Sequence, residues 1–175
     1  FRPMEEVVAN SDIVTFHTPL DSTTYHLIND RIISLMRPNG VIINASRGEV
    51  ADTAALLKAP QRLLIDVWEN EPAISSELLA KAIVTTPHIA GYSAQGKANA
   101  SVAAVRAVAE YFSLPLTEWY PCEVKPAERR AIGWQEMCQT INSYCDLTEE
   151  SARLKNHAED FESLRNNYNY REEYF

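Results

Sequence analysis

Val41-Ile42-Ile43-Asn44 is apolar without alternation and stands between two helical patterns. A strand of this kind belongs to a sheet covered on both faces, as parallel sheets between helices are. Three other short runs repeat the arrangement: Ile13-Val14-Thr15-Phe16, set off by Asp12 and closed by Pro19; Leu63-Leu64-Ile65-Asp66-Val67; and Ile83-Val84-Thr85-Thr86. Residues 30 to 36 read as a short helix capped by Asn29 or Asp30 and stopped at Pro38-Asn39-Gly40. Asp52 caps a further helix that carries Ala54, Ala55, Leu56 and Leu57. Strands alternating with helices predict βαβ units and an α/β fold with a parallel sheet. Ligands of such sheets sit at the carboxyl ends of the strands, so the polar residues just past those ends are the first candidates for chemistry.

The second half of the chain has a different character. A long helical pattern rich in Ala and Val runs from about Ser93 to Phe112, with Val102, Val105, Ala109 and Phe112 on one face. A stretch punctuated by Pro115, Pro121 and Pro126 follows and reads as a linker or an irregular entry strand. Trp134, Met137, Cys138, Ile141, Tyr144 and Cys145 then form one apolar stripe, continued by Phe161, Leu164 and Tyr168 after a Glu149-Glu150 first turn. Stripes of this kind are core or interface far more often than cofactor sites. The expected division is 1–94, an α/β domain; 95–112, a connecting helix; and 113–175, a small C-terminal domain.

Composition narrows the function. With 24 acidic against 16 basic side chains and a net charge of -8, the chain offers no basic face for nucleic acid. No run of 18 apolar residues occurs, and the first residues, Phe1-Arg2-Pro3-Met4-Glu5-Glu6, lack the apolar core of a signal peptide, so a cytoplasmic protein is expected. The missing initiator Met suggests that the polypeptide begins upstream. Cys122, Cys138 and Cys145 form no C-x-x-C and read as core thiols rather than metal ligands; His17, His26, His88 and His157 share no ligand spacing with them. Asn44-Ala45-Ser46 and Asn99-Ala100-Ser101 fit a glycosylation pattern that a cytoplasmic chain never uses, and Arg129-Arg130 beside Glu128 reads as solvated surface.

Past the second strand stands Ala45-Ser46-Arg47-Gly48-Glu49. A guanidinium there suits a carboxylate or carbonyl oxygen, and it equally suits a surface ion pair; Gly48 permits close backbone approach. Past the third strand comes Trp68-Glu69-Asn70-Glu71-Pro72, and past the fourth Pro87-His88-Ile89-Ala90-Gly91-Tyr92. A carboxylate on one imidazole nitrogen fixes the tautomer and leaves the other nitrogen to move a proton. Arg47, Glu71 and His88 at successive strand ends thus make a set for proton transfer beside a polarised oxygen.

Asn44-Ala45-Ser46-Arg47-Gly48-Glu49-Val50, Asp66-Val67-Trp68-Glu69-Asn70-Glu71-Pro72 and Pro87-His88-Ile89-Ala90-Gly91, in that order and preceded by His17-Thr18-Pro19-Leu20, resemble the NAD-dependent D-isomer-specific 2-hydroxyacid dehydrogenases. Trp68, the segment His88-Ile89-Ala90-Gly91-Tyr92-Ser93 with Gly96-Lys97, and the tail Phe161-Glu162-Ser163-Leu164-Arg165-Asn166-Asn167-Tyr168 are most similar to the branch that oxidises 4-phospho-D-erythronate. The resemblance implies an oxidoreductase using NAD, with product 2-oxo-3-hydroxy-4-phosphobutanoate, in pyridoxal 5'-phosphate biosynthesis. It also implies that Arg47 grips the substrate carboxylate and C2 oxygen and that His88, oriented by Glu71, takes the hydroxyl proton. Thr18, Ala45, Ser46, Arg47, Asp66 and Gly91 would line the cofactor, with Tyr92 against the phosphorylated substrate, and residues 113–175 would form a small α+β homodimerisation domain. No metal is implied. Another D-2-hydroxyacid substrate such as 3-phosphoglycerate, or a non-catalytic NAD-binding regulator, are the competing expectations.

The five glycines, Gly40, Gly48, Gly91, Gly96 and Gly133, form no G-x-G-x-x-G. The chain therefore reads as the second half of a Rossmann-like NAD-binding domain plus a C-terminal domain, with the phosphate fingerprint and most of the substrate domain expected upstream. These 175 residues by themselves are expected not to turn over substrate. The connection Leu57-Lys58-Ala59-Pro60-Gln61-Arg62-Leu63 is short for the family, either natively or through skipped residues.

Overall fold

A computed structural model describes residues 1–127 and 131–173; the Arg129-Arg130 reading and the side chain of Tyr144 lie outside what is described. The chain forms two compact units, Phe1–Ala90 with Leu147–Tyr168, and Gly91–Asp146 with Asn169–Phe175.

The first unit is built on β1 (Ile13–Phe16), β2 (Val41–Asn44), β3 (Arg62–Ile65) and β4 (Val84–Thr85), all parallel and in the spatial order of the sequence. The register sets Phe16 beside Asn44, Asn44 beside Ile65, and Ile65 beside Thr85. All four strand ends consequently face the same edge. Helix α1 (Met4–Asn10) precedes β1, and α2 (Asp30–Leu35), α3 (Thr53–Lys58) and α4 (Ser76–Lys81) lie in the three connections between successive strands. Asn29 caps α2 by accepting from the Arg31 and Ile32 amides, and Asp52 caps α3 by accepting from Ala54 and Ala55. β3 ends before Asp66 and β4 is two residues long, so Asp66, Val67, Ile83 and Thr86, expected in strands, lie outside them.

Coverage of the sheet differs from the sequence expectation. Val14, Phe16, Ile42, Leu63 and Ile65 are buried, whereas Val41, Ile43 and Leu64 are half-buried and Ile13 is exposed. Within this chain one face is covered fully and the other in part. The short α3–β3 connection is closed by side chains. Lys81 Nζ donates to the Leu57 and Ala59 carbonyls at 2.7 Å each, and the buried Gln61 amide donates to Ile33 O at 3.2 Å. These bonds satisfy carbonyls that a helix end leaves without partners.

Residues 147–168 belong with the sheet, although the sequence division assigned them to the C-terminal domain. In α7 (Leu147–Asn156), Ser151 Oγ accepts from the Thr85 amide at 3.1 Å and lies 3.0 Å from Thr85 Oγ1, so the outer side of β4 finds its partner in a side chain. Lys155 donates to Ala82 O at 2.6 Å. Leu154, with Phe161 of α8 (Phe161–Asn166), joins the buried core of Val14, Ile42, Leu63 and Leu79. Of the second part of the apolar stripe, Phe161 is core, while Leu164 and Tyr168 are half-buried.

The second unit contains α5 (Ala94–Phe112), capped by Ser93 Oγ accepting from the Gly96 amide at 2.9 Å, and α6 (Trp134–Tyr144). An isolated bridge joins Ser93 to Arg171, but residues 113–175 hold no strand among those described, so the expected α+β character is not seen. Trp134 and Ile141 are exposed, so the first part of the stripe is not core within this chain. Cys122 is exposed and Cys138 and Cys145 are half-buried, with no disulfide among them. The expectation of core thiols fails: Cys138 lies on α6 and Cys145 just past its end, both half-buried, and Cys122 stands exposed in the stretch between α5 and α6. Among the described residues no helix is long and apolar enough to cross a membrane.

Candidate functional site

Every residue of the predicted acid–base set lies just beyond a strand of the first unit. Glu71 Oε2 and His88 Nδ1 are 2.8 Å apart, both side chains about four-fifths covered. The other carboxylate oxygen, Oε1, accepts from the Trp68 amide at 2.8 Å. Glu71 is thereby fixed at both ends, and the imidazole is held through Nδ1. If Nδ1 carries the proton, Nε2 presents a lone pair, which is the form a general base needs.

His88 has φ 58°, a left-handed conformation that few residues with a Cβ adopt. Asp66 holds it there. The Asp66 carbonyl accepts from the His88 amide at 2.8 Å. Its buried carboxylate accepts from the Ile89 amide at 2.8 Å, the Ala90 amide at 3.1 Å and Thr86 Oγ1 at 2.6 Å. Three successive amides of the loop thus end on one residue. The sequence reading gave Asp66 to the cofactor; the geometry commits both carboxylate oxygens to the β4 loop.

Arg47 is exposed, with Nη1 donating to Ser46 O at 2.6 Å. Its loop is shaped by the buried Asn44, whose Oδ1 accepts from Ser46 Oγ at 2.7 Å and whose Nδ2 donates to Arg47 O at 3.0 Å. Gly48 packs so tightly on the backbone of Trp68 and Glu69 that a Cβ would overlap the Trp68 carbonyl. The close approach expected of this glycine is therefore made to the neighbouring loop. Asn44 and Trp68 were missed as site-shaping residues because both read as strand-end members of longer motifs.

Beside Arg47 opens a cleft of about 490 Å³ lined by His17, Thr18, Pro19, Leu20, Ala45, Ser46 and Arg47. Thr18 Oγ1 is buried and finds no hydrogen-bond partner among the described residues. Such an orphan hydroxyl is costly unless a ligand completes it, so the residues here fit a polar ligand lying along the ends of β1 and β2.

His26, Asp52 and Glu69 form a separate group that ligand spacing in the sequence did not reveal. Glu69 Oε1 is 2.8 Å from His26 Nε2, and Oε2 accepts from the Thr53 amide at 2.8 Å. With Asp52 occupied as the α3 cap, these carboxylates serve the start of that helix. The bonds from Thr53 and His26 outweigh burial, the largest single influence, and bring the Glu69 carboxyl below its usual 4.5.

Gly91 and Tyr92 belong to the second unit. Where a Cβ of Gly91 would stand there is open space. The Tyr92 ring has Lys97 Nζ 4.0 Å from its centroid and packs edge-on against Tyr170 at 5.5 Å, while Tyr92 O accepts from Arg171 at 3.1 Å. The sequence pointed to Tyr92 but not to the return of residues 169–173 onto the start of α5.

The family model described as D-isomer specific 2-hydroxyacid dehydrogenase, NAD binding domain, matches residues 1–90. The chain is similar to erythronate-4-phosphate dehydrogenase of Bacteroides thetaiotaomicron, at 39% identity over 99% of this chain and 52% of that protein. It is similar to erythronate-4-phosphate dehydrogenase of Proteus mirabilis at 36% identity, covering 99% and 51%. Among solved structures, D-lactate dehydrogenase from Aquifex aeolicus complexed with NAD and lactic acid is similar with a TM-score of 0.54 and 27% identity, over 64% of this chain and 40% of that one. The chain spans about half the length of the curated relatives it matches.

Proposed function

Because the chain belongs to the D-isomer specific 2-hydroxyacid dehydrogenase family, with its NAD-binding domain at residues 1–90, we propose that it forms part of a cytoplasmic enzyme that oxidises 4-phospho-D-erythronate with NAD. The observation that carries the acid–base part is the Glu71–His88 pair, closed at 2.8 Å at adjoining strand ends. His88 Nε2 removes the C2 hydroxyl proton while Glu71 holds Nδ1 and offsets the charge the ring acquires. Arg47 binds the substrate carboxylate and steadies the oxygen as it becomes a carbonyl. Nicotinamide, when bound, supplies the hydride acceptor. Thr18, Ala45 and Ser46 line its cleft together with Arg47, and the orphan Thr18 hydroxyl supports that assignment. Asp66 contributes by fixing the loop that bears the base, and Gly91, next in the chain after that loop, is the remaining proposed cofactor residue.

Tyr92 is the proposed contact for a phosphorylated substrate. The product, 2-oxo-3-hydroxy-4-phosphobutanoate, would enter pyridoxal 5'-phosphate biosynthesis. A second copy of the chain is the proposed partner, for which the exposed Trp134 and Ile141 of α6 and Tyr111 and Phe112 of α5 give apolar surface. The test is NADH formation by the complete parent polypeptide, offered 4-phospho-D-erythronate and 3-phosphoglycerate in parallel. Turnover of the first that disappears in His88→Ala supports the reading. Preference for 3-phosphoglycerate overturns the substrate assignment, and no turnover of any hydroxyacid overturns the enzymatic one.

A further inference from the structure

The loops after β2, β3 and β4 meet on one buried residue that has no assigned part in the chemistry: its backbone reaches the first and its own loop, and its indole reaches the third. Trp68 is 2% exposed and touches all three. Its amide donates to Glu71 Oε1 at 2.8 Å, which turns Oε2 toward His88. Its indole Nε1–H donates to the Thr86 carbonyl at 3.0 Å, two residues before His88. Its own carbonyl is the surface against which Gly48 packs, immediately after Arg47. We infer that Trp68 is a positioning residue for the reaction, holding the Arg47, Glu71 and His88 loops in register through its indole hydrogen bond as well as its bulk.

The inference rests on the proposed proton transfer from a hydroxyacid. Its physical basis is that a purely apolar ring of similar size would fill the space but leave out the indole donor to Thr86. His88 already sits in a sparsely populated backbone conformation, so its place depends on the bonds that fasten the residues around it. Displacement of a reacting group by about 1 Å from remote changes is enough to cost on the order of a hundredfold in rate. Asp66 fixes the loop from below and Trp68 fixes it from the Glu71 side, so neither by itself sets the distance between carboxylate and imidazole.

The experiment uses the complete parent polypeptide with Trp68→Phe and, separately, the tryptophan analogue β-(3-benzothienyl)alanine at position 68, which keeps the bicyclic shape and lacks the N–H. Three quantities are read: kcat, KM for the hydroxyacid and NAD, and the downfield NMR signal of the His88 Nδ1 proton. With the analogue, kcat is expected to fall about tenfold or more while both KM values stay within about threefold, because positioning acts on the transition state. The Nδ1 proton signal is expected to weaken as the Glu71 bond loosens. A kcat within about twofold of the parent with the proton signal intact overturns the inference, as does a loss of activity that only tracks the folded fraction. Should Trp68→Phe fail to fold, the analogue decides. A parent with no turnover defeats the proposed function, and the proton signal still decides the positioning role.

Discussion

Glu71 and His88, 17 residues apart in sequence, are joined at 2.8 Å because β3 and β4 run parallel with Ile65 beside Thr85. Both loops therefore leave the sheet at the same level, and the carboxylate meets the ring without either chain travelling far.

Replacing that carboxylate tests the chemistry with little change of shape. Glu71→Gln keeps an oxygen for the Trp68 amide but removes the charge that offsets a protonated ring. In the complete polypeptide kcat is expected to fall roughly 100-fold or more with little change in KM, and His88→Ala to fall at least as far, in the range of about 10²–10⁴ for loss of a general base. Steady-state NADH formation checks both. Equal loss in kcat and in substrate affinity would count against the assigned roles.

Gly48→Ala is the sharpest test of how the loops fit. The added methyl would meet the Trp68 carbonyl and the Glu69 amide, which are backbone groups and cannot rotate away. A loss of about 1–3 kcal/mol is expected, the usual range for overpacking. Urea denaturation midpoints of variant and parent give the difference. Gly91→Ala, facing open space, is the internal control for folding and is expected to leave the midpoint unchanged.

Asp66→Asn separates a loop anchor from a cofactor ligand. The amide keeps one acceptor but turns an N–H₂ toward donors at Ile89, Ala90 or Thr86. At least one buried partner is then left unsatisfied, at a cost of about 1–3 kcal/mol. The loss should appear in the thermal midpoint without any NAD present. Unchanged stability with weakened NAD binding would instead favour direct contact with the cofactor.

The association of α7 and α8 with the sheet predicts that the tail stabilises the first unit. Phe161 is 1% exposed in its core, so Phe161→Ala is expected to cost about 3–5 kcal/mol. Ser151→Ala, which removes the hydroxyl that receives the Thr85 amide, should cost about 1–3 kcal/mol. Hydrogen exchange at the Thr85 amide reports the second change directly. Exchange at the parent rate in Ser151→Ala would show that the docked helix is not what protects β4.

What could be read from the sequence was what is decided locally. Asn29 and Asp52 cap the next helix within three residues, so their roles follow from spacing. The Glu71–His88 pair was legible because each residue follows a recognisable strand. The duties of Asp66 and Trp68 were not, since their partners Thr86, Ile89 and Ala90 are 18 to 24 residues away and come within reach only through the strand register. The placement of α7 was further out of view: Ser151 meets Thr85 across 66 residues, and an amphipathic stripe says that a face is covered without saying by what.

The Glu69 carboxyl gives stability a specific dependence on acid. Burial works against its ionised form, but the hydrogen bonds from Thr53 and His26 exceed that cost, so its value in the folded chain lies below the ordinary 4.5. A carboxylate depressed on folding stabilises the native state above its unfolded value, and the contribution disappears as pH falls through the folded one. The parent should therefore be more stable than Glu69→Gln at neutral pH, with the gap constant down to about pH 5 and closing below the carboxylate range. Urea midpoints at intervals from neutral to acid pH measure the gap. A difference that persists unchanged in acid would assign the effect to packing or to the neutral hydrogen bonds, and a difference that grows in acid would reverse the sign argued from the Thr53 and His26 contacts.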